Sequence, residues 1–166
     1  MNSPIGVLTI ISYFGELCMI NFDTKENTLP VMKEKLKFGI PILNVIENDN
    51  EEVILKTKHQ LSEYFAGKRK TFDVPIITGG TPFQRTVWDE LQNIPYGEVV
   101  TYKDIAKKIG NEKAVRAVGG ANNKNVLPIV IPCHRVIGVN KKLVGYAGGI
   151  DAKKKLLKIE NCKLFA

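Results

Sequence analysis

The chain has 166 residues, 44% of them hydrophobic and 25% charged, a globular composition that excludes collagen-like, mucin-like and disordered classes. No apolar run approaches the roughly 20 residues of a membrane span, and the start MNSPIGVLTI has no signal-peptide pattern, so a cytoplasmic protein without membrane association is expected. The formal net charge of +7 is uneven: residues 1–80 carry 9 Lys/Arg and 10 Asp/Glu, whereas 81–166 carry 15 and 7, which points the second half toward a polyanion or simply to a lysine-rich solvated surface.

In chain order, β-rich runs at 7–11 and 17–22, separated by Ser-Tyr-Phe-Gly-Glu, predict a hairpin. The apolar stretch 40–46 contains Pro41, which confines a strand there to an edge. Asn50 is placed to cap a helix over 51–66, with Ile54, Leu61, Tyr64 and Phe65 as its buried stripe and Gly67 as its stop. Residues 71–77 read as a returning strand. Thr78-Gly79-Gly80 then marks a boundary, at the same place as the change in charge. The expectation is an α/β domain over 1–78 with mainly structural duties, followed by a second domain over 81–166.

The second half is more sharply punctuated. Thr81 reads as an N-cap with Pro82 at the first helical position, where a missing N–H is harmless. Phe83, Val87, Leu91 and Ile94 follow at helical spacing beside Trp88, and Pro95-Tyr96-Gly97 ends that helix. Thr101 and Asp104 resemble a capping box, opening a helix through Ile105, Ala106 and Ile109 to Gly110. The turn Gly110-Asn111-Glu112 leads to a helix over 113–122. Two short helices joined by such a turn are a helix-turn-helix candidate, although many helix pairs bind nothing.

On the second of these helices Val115 and Val118 share one face. Lys113, Arg116, Gly119, Gly120 and Asn123 fall on the other. Two glycines on an exposed face are poor helix design, at about 1 kcal/mol each relative to alanine. Either another element packs closely there, or the face is thinned to enter a groove. A major-groove reader carries several long side chains for base edges, and this face has one, Arg116. A helix is about 10–12 Å across and the minor groove about 6 Å wide, so a thinned face suits a widened minor groove. Lys103, Lys107, Lys108, Lys113 and Lys124 are then available for phosphates, giving affinity without sequence choice.

The cysteines, Cys18, Cys133 and Cys162, are odd in number and widely spaced, which argues against a disulfide framework and fits a reducing compartment. With His59 and His134 they show no zinc spacing, so no metal is expected. Cys18 and Cys162 read as inert core residues. Cys133 closes an apolar run at Pro132 and is followed by His134 and Arg135, polar neighbours of the kind that lower a thiol pKa, so a nucleophile and a core residue are equally good readings.

The segment IPCHRVIG, with RAVGGAN before it and GYAGG after it, resembles the O6-alkylguanine-DNA alkyltransferase family, the methylated-DNA–protein-cysteine methyltransferases. SPIG, YFAGKR, GTPFQRTVW, IPYGEVVTY and LLKIE extend the resemblance almost end to end. It implies a ribonuclease-H-like α/β N-terminal domain, a small sheet plus helix. A mostly helical, winged-helix-like C-terminal domain carrying the helix-turn-helix would follow. The implied activity is direct DNA repair by irreversible, stoichiometric transfer of the alkyl group from O6-alkylguanine, and O4-alkylthymine, to a cysteine of the protein. No cofactor is implied. The partner is double-stranded DNA, bound by a monomer through the minor groove without sequence specificity, with the damaged base flipped out.

By the same resemblance Cys133 is the alkyl acceptor, His134 activates it through a bound water, and Glu160 orients the imidazole. Tyr102 donates to the guanine ring and crowds the 3′ phosphate. Arg116 is the finger that fills the space of the extruded base, and Ala117, Gly119, Gly120, Asn123 and Lys124 complete the DNA face. Asn125 braces the loop before the cysteine. Pro128, Tyr146 and Ala147 wall the alkyl pocket, with backbone groups of Val130 and Cys133 reading the guanine edge.

Three departures from the family pattern stand out. Ala147 replaces a frequent serine and so loses a hydroxyl contact to O6, which a backbone N–H can supply. Val126 replaces a frequent proline after Asn125, a change expected to loosen that loop. The N-terminal zinc ligands of some relatives are missing. No methyl-phosphotriester or transcriptional domain is recognised, so a regulatory role is not expected. Three rival readings remain: a sensor that flips lesions without repairing them, which should lack Cys133; a sequence-specific helix-turn-helix regulator, which the Gly119-Gly120 face suits poorly; and a thiol hydrolase, which leaves Arg116 unexplained.

Overall fold

The architecture is taken from a computed structural model, which describes residues 1–37, 39–41 and 44–164. Two short hairpins open the chain. β1 (Asn2–Ser3) pairs with β2 (Gly6–Val7), and β3 (Thr9–Tyr13) pairs antiparallel with β4 (Glu16–Asn21). The expected hairpin is therefore present with arms of the same length, shifted toward each other by a tighter turn. Phe14 and Gly15 both take positive φ, 48° and 82°, so a two-residue turn replaces the five-residue connection. Val7 belongs to β2 rather than to the main strand.

A helix that the apolar pattern did not announce follows, α1 (Lys25–Leu36), with Pro30 inside it and Thr28, Met32 and Leu36 buried at a spacing of four. Of the apolar stretch 40–46, residues 42 and 43 lie outside the described residues, and its other positions carry no strand. Helix α2 (Glu52–Phe65) matches its expected extent, but Asn50 does not cap it. Glu51 occupies the N-cap without a side-chain cap, and its carboxylate instead accepts the Ser12 hydroxyl. Gly67, at φ 70°, ends the helix as expected. Residues 71–77 do not form a strand. Pro75 withholds one donor, and only a single parallel bridge, Leu17 to Ile76, joins the segment to β4.

The expected capping box forms between Thr101 and Asp104 at the start of α4 (Tyr102–Lys108), and the expected N-cap Thr81 forms a second box with Gln84 at the start of α3 (Pro82–Leu91). The next helix enters through a 3-10 turn at Glu112–Ala114 and becomes α5 (Val115–Asn123), two residues later than the spacing suggested. α3, α4 and α5 pack around Val87, Trp88, Leu91, Ile105, Ala106 and Val118, all buried. The Trp88 indole donates to the Ala121 carbonyl at 2.9 Å, hanging α5 on α3. Gly80, at φ 93°, lets the chain pass the same indole, because a Cβ there would lie 2.7 Å from the ring.

A long loop then leads to a 3-10 turn, Cys133–Arg135, and to β6 (Val136–Ile137), which pairs parallel with β5 (Val100–Thr101) immediately before α4. α6 (Gly149–Ile159) closes the C-terminal part, and residues 165 and 166 of the expected second domain lie outside the described residues. The molecule thus joins a small α/β N-terminal part to a mostly helical C-terminal part containing a helix-turn-helix. Among the described residues no helix is long and apolar enough to cross a membrane.

Candidate active site

Cys133 opens its 3-10 turn and is buried, as are His134 and Arg135 after it. The loop before it is pinned from both sides. The Asn125 side chain donates to the Ile131 carbonyl at 2.8 Å and accepts the Leu127 N–H at 2.9 Å, the bracing expected of it. Val126 does not loosen this loop. It is buried, and its carbonyl accepts the Ile20 N–H at 2.9 Å, tying the loop to β4. Ile129 is held at φ 76°, a strained value for a β-branched residue that the surrounding hydrogen bonds enforce.

The chemistry centres on a buried carboxylate. Glu160, at the end of α6, accepts His134 Nε2–H at 2.7 Å and the Tyr64 hydroxyl at 2.7 Å. Arg135 adds Nε–H at 2.9 Å and Nη2–H at 3.0 Å, and the Gly97 N–H adds a bond at 3.0 Å. Burial pushes the Glu160 carboxyl upward, but the His134 and Arg135 partners outweigh it and hold the group well below the usual carboxylate range. An ionised carboxylate only accepts, so the proton between Glu160 and His134 resides on Nε2. Burial lowers the His134 pKa although Glu160 opposes it, so the imidazole is neutral and its Nδ1 carries a lone pair.

Burial pushes the Cys133 thiol up to about 11, with Asn125 and Lys153 acting the other way. The expectation that its neighbours lower it is therefore corrected. The Arg135 guanidinium is occupied by Glu160 and the Ile94 carbonyl, and His134 is uncharged. A thiolate here has to be produced by a base rather than stand ready. Cys18, pushed up to about 12 by burial, is inert.

Among the described residues, the buried side-chain polar atoms without a hydrogen-bond partner are Asn122 Oδ1, His134 Nδ1 and the Tyr146 hydroxyl. All three lie around Cys133. The Asn122 amide reaches the Cys133 carbonyl at 3.4 Å, and the Tyr146 ring meets the His134 ring edge-on at 6.4 Å. Buried polar groups without partners are rare in folded proteins, and here three of them gather beside a thiol.

The other expected positions divide. Tyr102 starts α4, half-buried, with its hydroxyl donating to the Val144 carbonyl at 3.3 Å. Burial, followed by the nearby Cys133, raises its pKa. Pro128 is buried in the loop and Ala147 is exposed beside Tyr146. Val130 is half-buried three residues before Cys133. It lines a separate cavity of about 270 Å³ with Lys70, Tyr96 and Pro132. On α5, Arg116, Ala117, Gly120 and Asn123 are exposed, as is Lys124 just after it, and Gly119 faces the Tyr102 ring. The thinned face is open rather than packed.

Three groups escaped the sequence reading: Tyr64, Arg135 as a partner of Glu160, and Lys153. Lys153 is fully buried, and its ammonium donates to the Val136 and Val144 carbonyls at 2.6 and 3.0 Å. Burial lowers its pKa to about 8. The one local signal for it was a lysine at an inward position of α6. Tyr64 lay in an apolar stripe, where nothing distinguished its hydroxyl from a core ring.

Comparison with known proteins accords with this geometry. The family model for the 6-O-methylguanine DNA methyltransferase ribonuclease-like domain matches residues 1–78, and that for the DNA binding domain matches residues 82–162. A methylated-DNA–protein-cysteine methyltransferase of Methanosarcina acetivorans is 49% identical over 159 residues, covering 96% of this chain and 94% of the relative. The constitutive enzyme of that name from Bacillus subtilis is 57% identical over 108 residues, 64% of this chain and 66% of the relative. A structure of the Mycobacterium tuberculosis OGT in complex with DNA superposes with a TM-score of 0.80 at 37% identity, covering 99% of this chain and 91% of that one.

Proposed function

The chain belongs to the 6-O-methylguanine DNA methyltransferase family, and on that premise we propose that Cys133 is the acceptor of an alkyl group removed directly from O6-alkylguanine in DNA. The activity is methylated-DNA–protein-cysteine methyl transfer, a DNA repair reaction, and DNA is the partner. The observation that carries the assignment of Cys133 is the neutral His134 beside it. The imidazole is bonded through Nε2 to Glu160, and its Nδ1 has no partner among the described residues.

His134 Nδ1 takes the thiol proton, directly or through one water. The sulfur attacks the alkyl carbon as the carbon–O6 bond breaks, and the electron pair of that bond goes to guanine. Tyr102, turning its hydroxyl from the Val144 carbonyl to the base, stabilises this charge and delivers a proton. The proton held by His134 then returns through water to the Tyr102 phenolate, so overall one proton leaves the thiol and one is gained by guanine, and no oxidant, reductant or cofactor takes part. The product is a thioether with no leaving route, and each molecule acts once.

The open face of α5 enters the minor groove of the duplex, and Arg116 fills the gap left by the extruded base. Lysines around it bind phosphates, so affinity is independent of sequence and falls with salt. Pro128, Tyr146 and Ala147 wall the alkyl group, while Asn122 and Tyr146 offer polar atoms to the base. One protein molecule suffices for the reaction, in the reducing cytoplasm where its three buried cysteines stay free.

The test mixes the protein with a duplex containing one O6-methylguanine and measures intact and peptide masses. One methyl per protein, confined to the Cys133 peptide, is expected. An unmodified protein that still binds the lesion would make it a sensor instead.

A further inference from the structure

Of the donors that the Glu160 carboxylate accepts, one comes from the N-terminal part of the chain. Tyr64, in the last turn of α2, is completely buried. Its hydroxyl donates to Glu160 Oε1 at 2.7 Å and lies 3.4 Å from His134 Nε2. Oε1 is also the oxygen that accepts the His134 Nε2–H. The Arg135 Nη2–H reaches the same oxygen at 3.0 Å. Three donors thus share Oε1, and the Tyr64 hydroxyl is the one held by a part of the chain that meets the others only in the folded protein.

We propose that Tyr64 is a positioning residue of the alkyl-transfer site, whose hydroxyl shares Glu160 Oε1 with His134 and thereby sets how strongly the carboxylate draws on the imidazole. The proposal rests on the reading of Cys133 as acceptor and His134 as its base. Its consequence is that the N-terminal part does more than support the fold, because it supplies a member of the relay.

The physical argument concerns charge on one atom. A hydroxyl donating to Oε1 withdraws part of the negative charge that would otherwise stabilise protonated His134. Removing that hydroxyl leaves Oε1 to His134 and the Arg135 Nη2–H, so the imidazolium is better stabilised and its pKa rises. Other groups face His134 as well. Arg135, next in the chain, and Lys153, on α6, favour the neutral ring. The Tyr146 ring covers one edge and Cys133 adjoins it. None of these moves when the Tyr64 oxygen is deleted. The Tyr64 ring itself packs against Phe65 and Phe72 at 5.6 Å and Tyr96 at 6.2 Å, contacts that phenylalanine retains.

The experiment compares the parent protein with Tyr64→Phe and Tyr96→Phe, following both histidines by NMR across pH before any DNA is added. The chain has two histidines, and exposed His59 serves as the internal reference. The titration of His134 is expected to move upward in Tyr64→Phe while His59 stays in place. In Tyr96→Phe, which removes a hydroxyl bonded to the Ile159 carbonyl rather than to Glu160, His134 is expected to titrate as in the parent. Single-turnover transfer from an O6-methylguanine duplex should show its acidic limb displaced upward in Tyr64→Phe. The plateau should be roughly threefold faster, because a more basic imidazole takes the thiol proton more readily, with unchanged DNA affinity. An unmoved His134 titration in Tyr64→Phe, or an equal shift in Tyr96→Phe, would overturn the proposal. Because the titration needs no DNA, its outcome stands apart from whether Cys133 accepts an alkyl group.

Discussion

The side-chain amide of Asn122, near the end of α5, donates to the backbone carbonyl of Cys133 at 3.4 Å. The helix that carries Arg116 and the turn that carries the thiol are therefore joined by a direct contact. Trp88 fixes the same end of α5 through the Ala121 carbonyl. Arg116, on the same helix, is thus held at a set distance from Cys133.

If Arg116 serves the extruded state and not the chemistry, its truncation should matter only where a base must leave a duplex. Arg116→Ala is expected to slow repair of duplex O6-methylguanine by about tenfold or more while leaving reaction with free O6-benzylguanine within about twofold of the parent. Parallel single-turnover rates on the two substrates check this. Equal slowing removes the assignment.

The thiol and the DNA face are made by different elements, so they should separate by mutation. Cys133→Ala is expected to abolish transfer completely and to leave binding of an undamaged duplex unchanged, because the exposed groups of α5 are untouched. Fluorescence anisotropy alongside the mass measurement decides it, and a loss of binding would contradict separate roles.

Breaking the buried carboxylate network should damage stability and chemistry together. Glu160→Gln leaves the Arg135 guanidinium, with a side chain 7% exposed, without its charge partner. A loss of about 3–5 kcal/mol is expected, as for a buried pair deprived of one member. The same change withdraws the group that orients His134, so transfer should fall by about 100-fold. Urea denaturation and single-turnover kinetics provide the two readings, and a stable, active Glu160→Gln would contradict the relay.

The same network predicts how stability depends on pH. His134 has a folded pKa below its ordinary 6.5, so the unfolded chain takes up this proton first. Stability should therefore fall as pH drops from 6.5 toward the lowered folded value. Glu160, held below its ordinary 4.5, contributes stability that is full above that value and is lost on further acidification. Urea midpoints from pH 8 down to pH 4 should decline below about 6.5, and stability that stays level down to pH 5 would count against a buried neutral His134.

Gly80 provides a test of packing alone. Alanine there requires a positive φ, and its Cβ meets the Trp88 ring at 2.7 Å, so Gly80→Ala is expected to destabilise the protein by about 2–3 kcal/mol. Thermal unfolding measures it. The effect on α5 through Trp88 should appear as weakened DNA binding before any loss at Cys133.

Much of the site was legible in the sequence because its chemistry is local. Cys133, His134 and Arg135 are adjacent, and the helix-turn-helix is announced by the capping box at Thr101, whose partner Asp104 lies three residues on. The exposed face of α5 follows from helical periodicity, which reads the same in sequence and in space. Local rules missed α1, because its buried positions include Thr28 rather than an apolar side chain and Pro30 interrupts the pattern. They also overstated the strand at 71–77, where Pro75 leaves only one bridge.

What only the tertiary structure decided is the electrostatic state of the site. Residue types around Cys133 suggested a lowered thiol pKa, yet folding buries the thiol and directs Arg135 to Glu160, so the value rises to about 11. The partner that fixes His134 lies 26 residues away, and the Tyr64 hydroxyl on the same carboxylate lies 96 residues from Glu160. The residues fix which groups can donate, accept or attack. Burial and distance, which determine the charge each group carries, are properties of chain segments that meet only after folding.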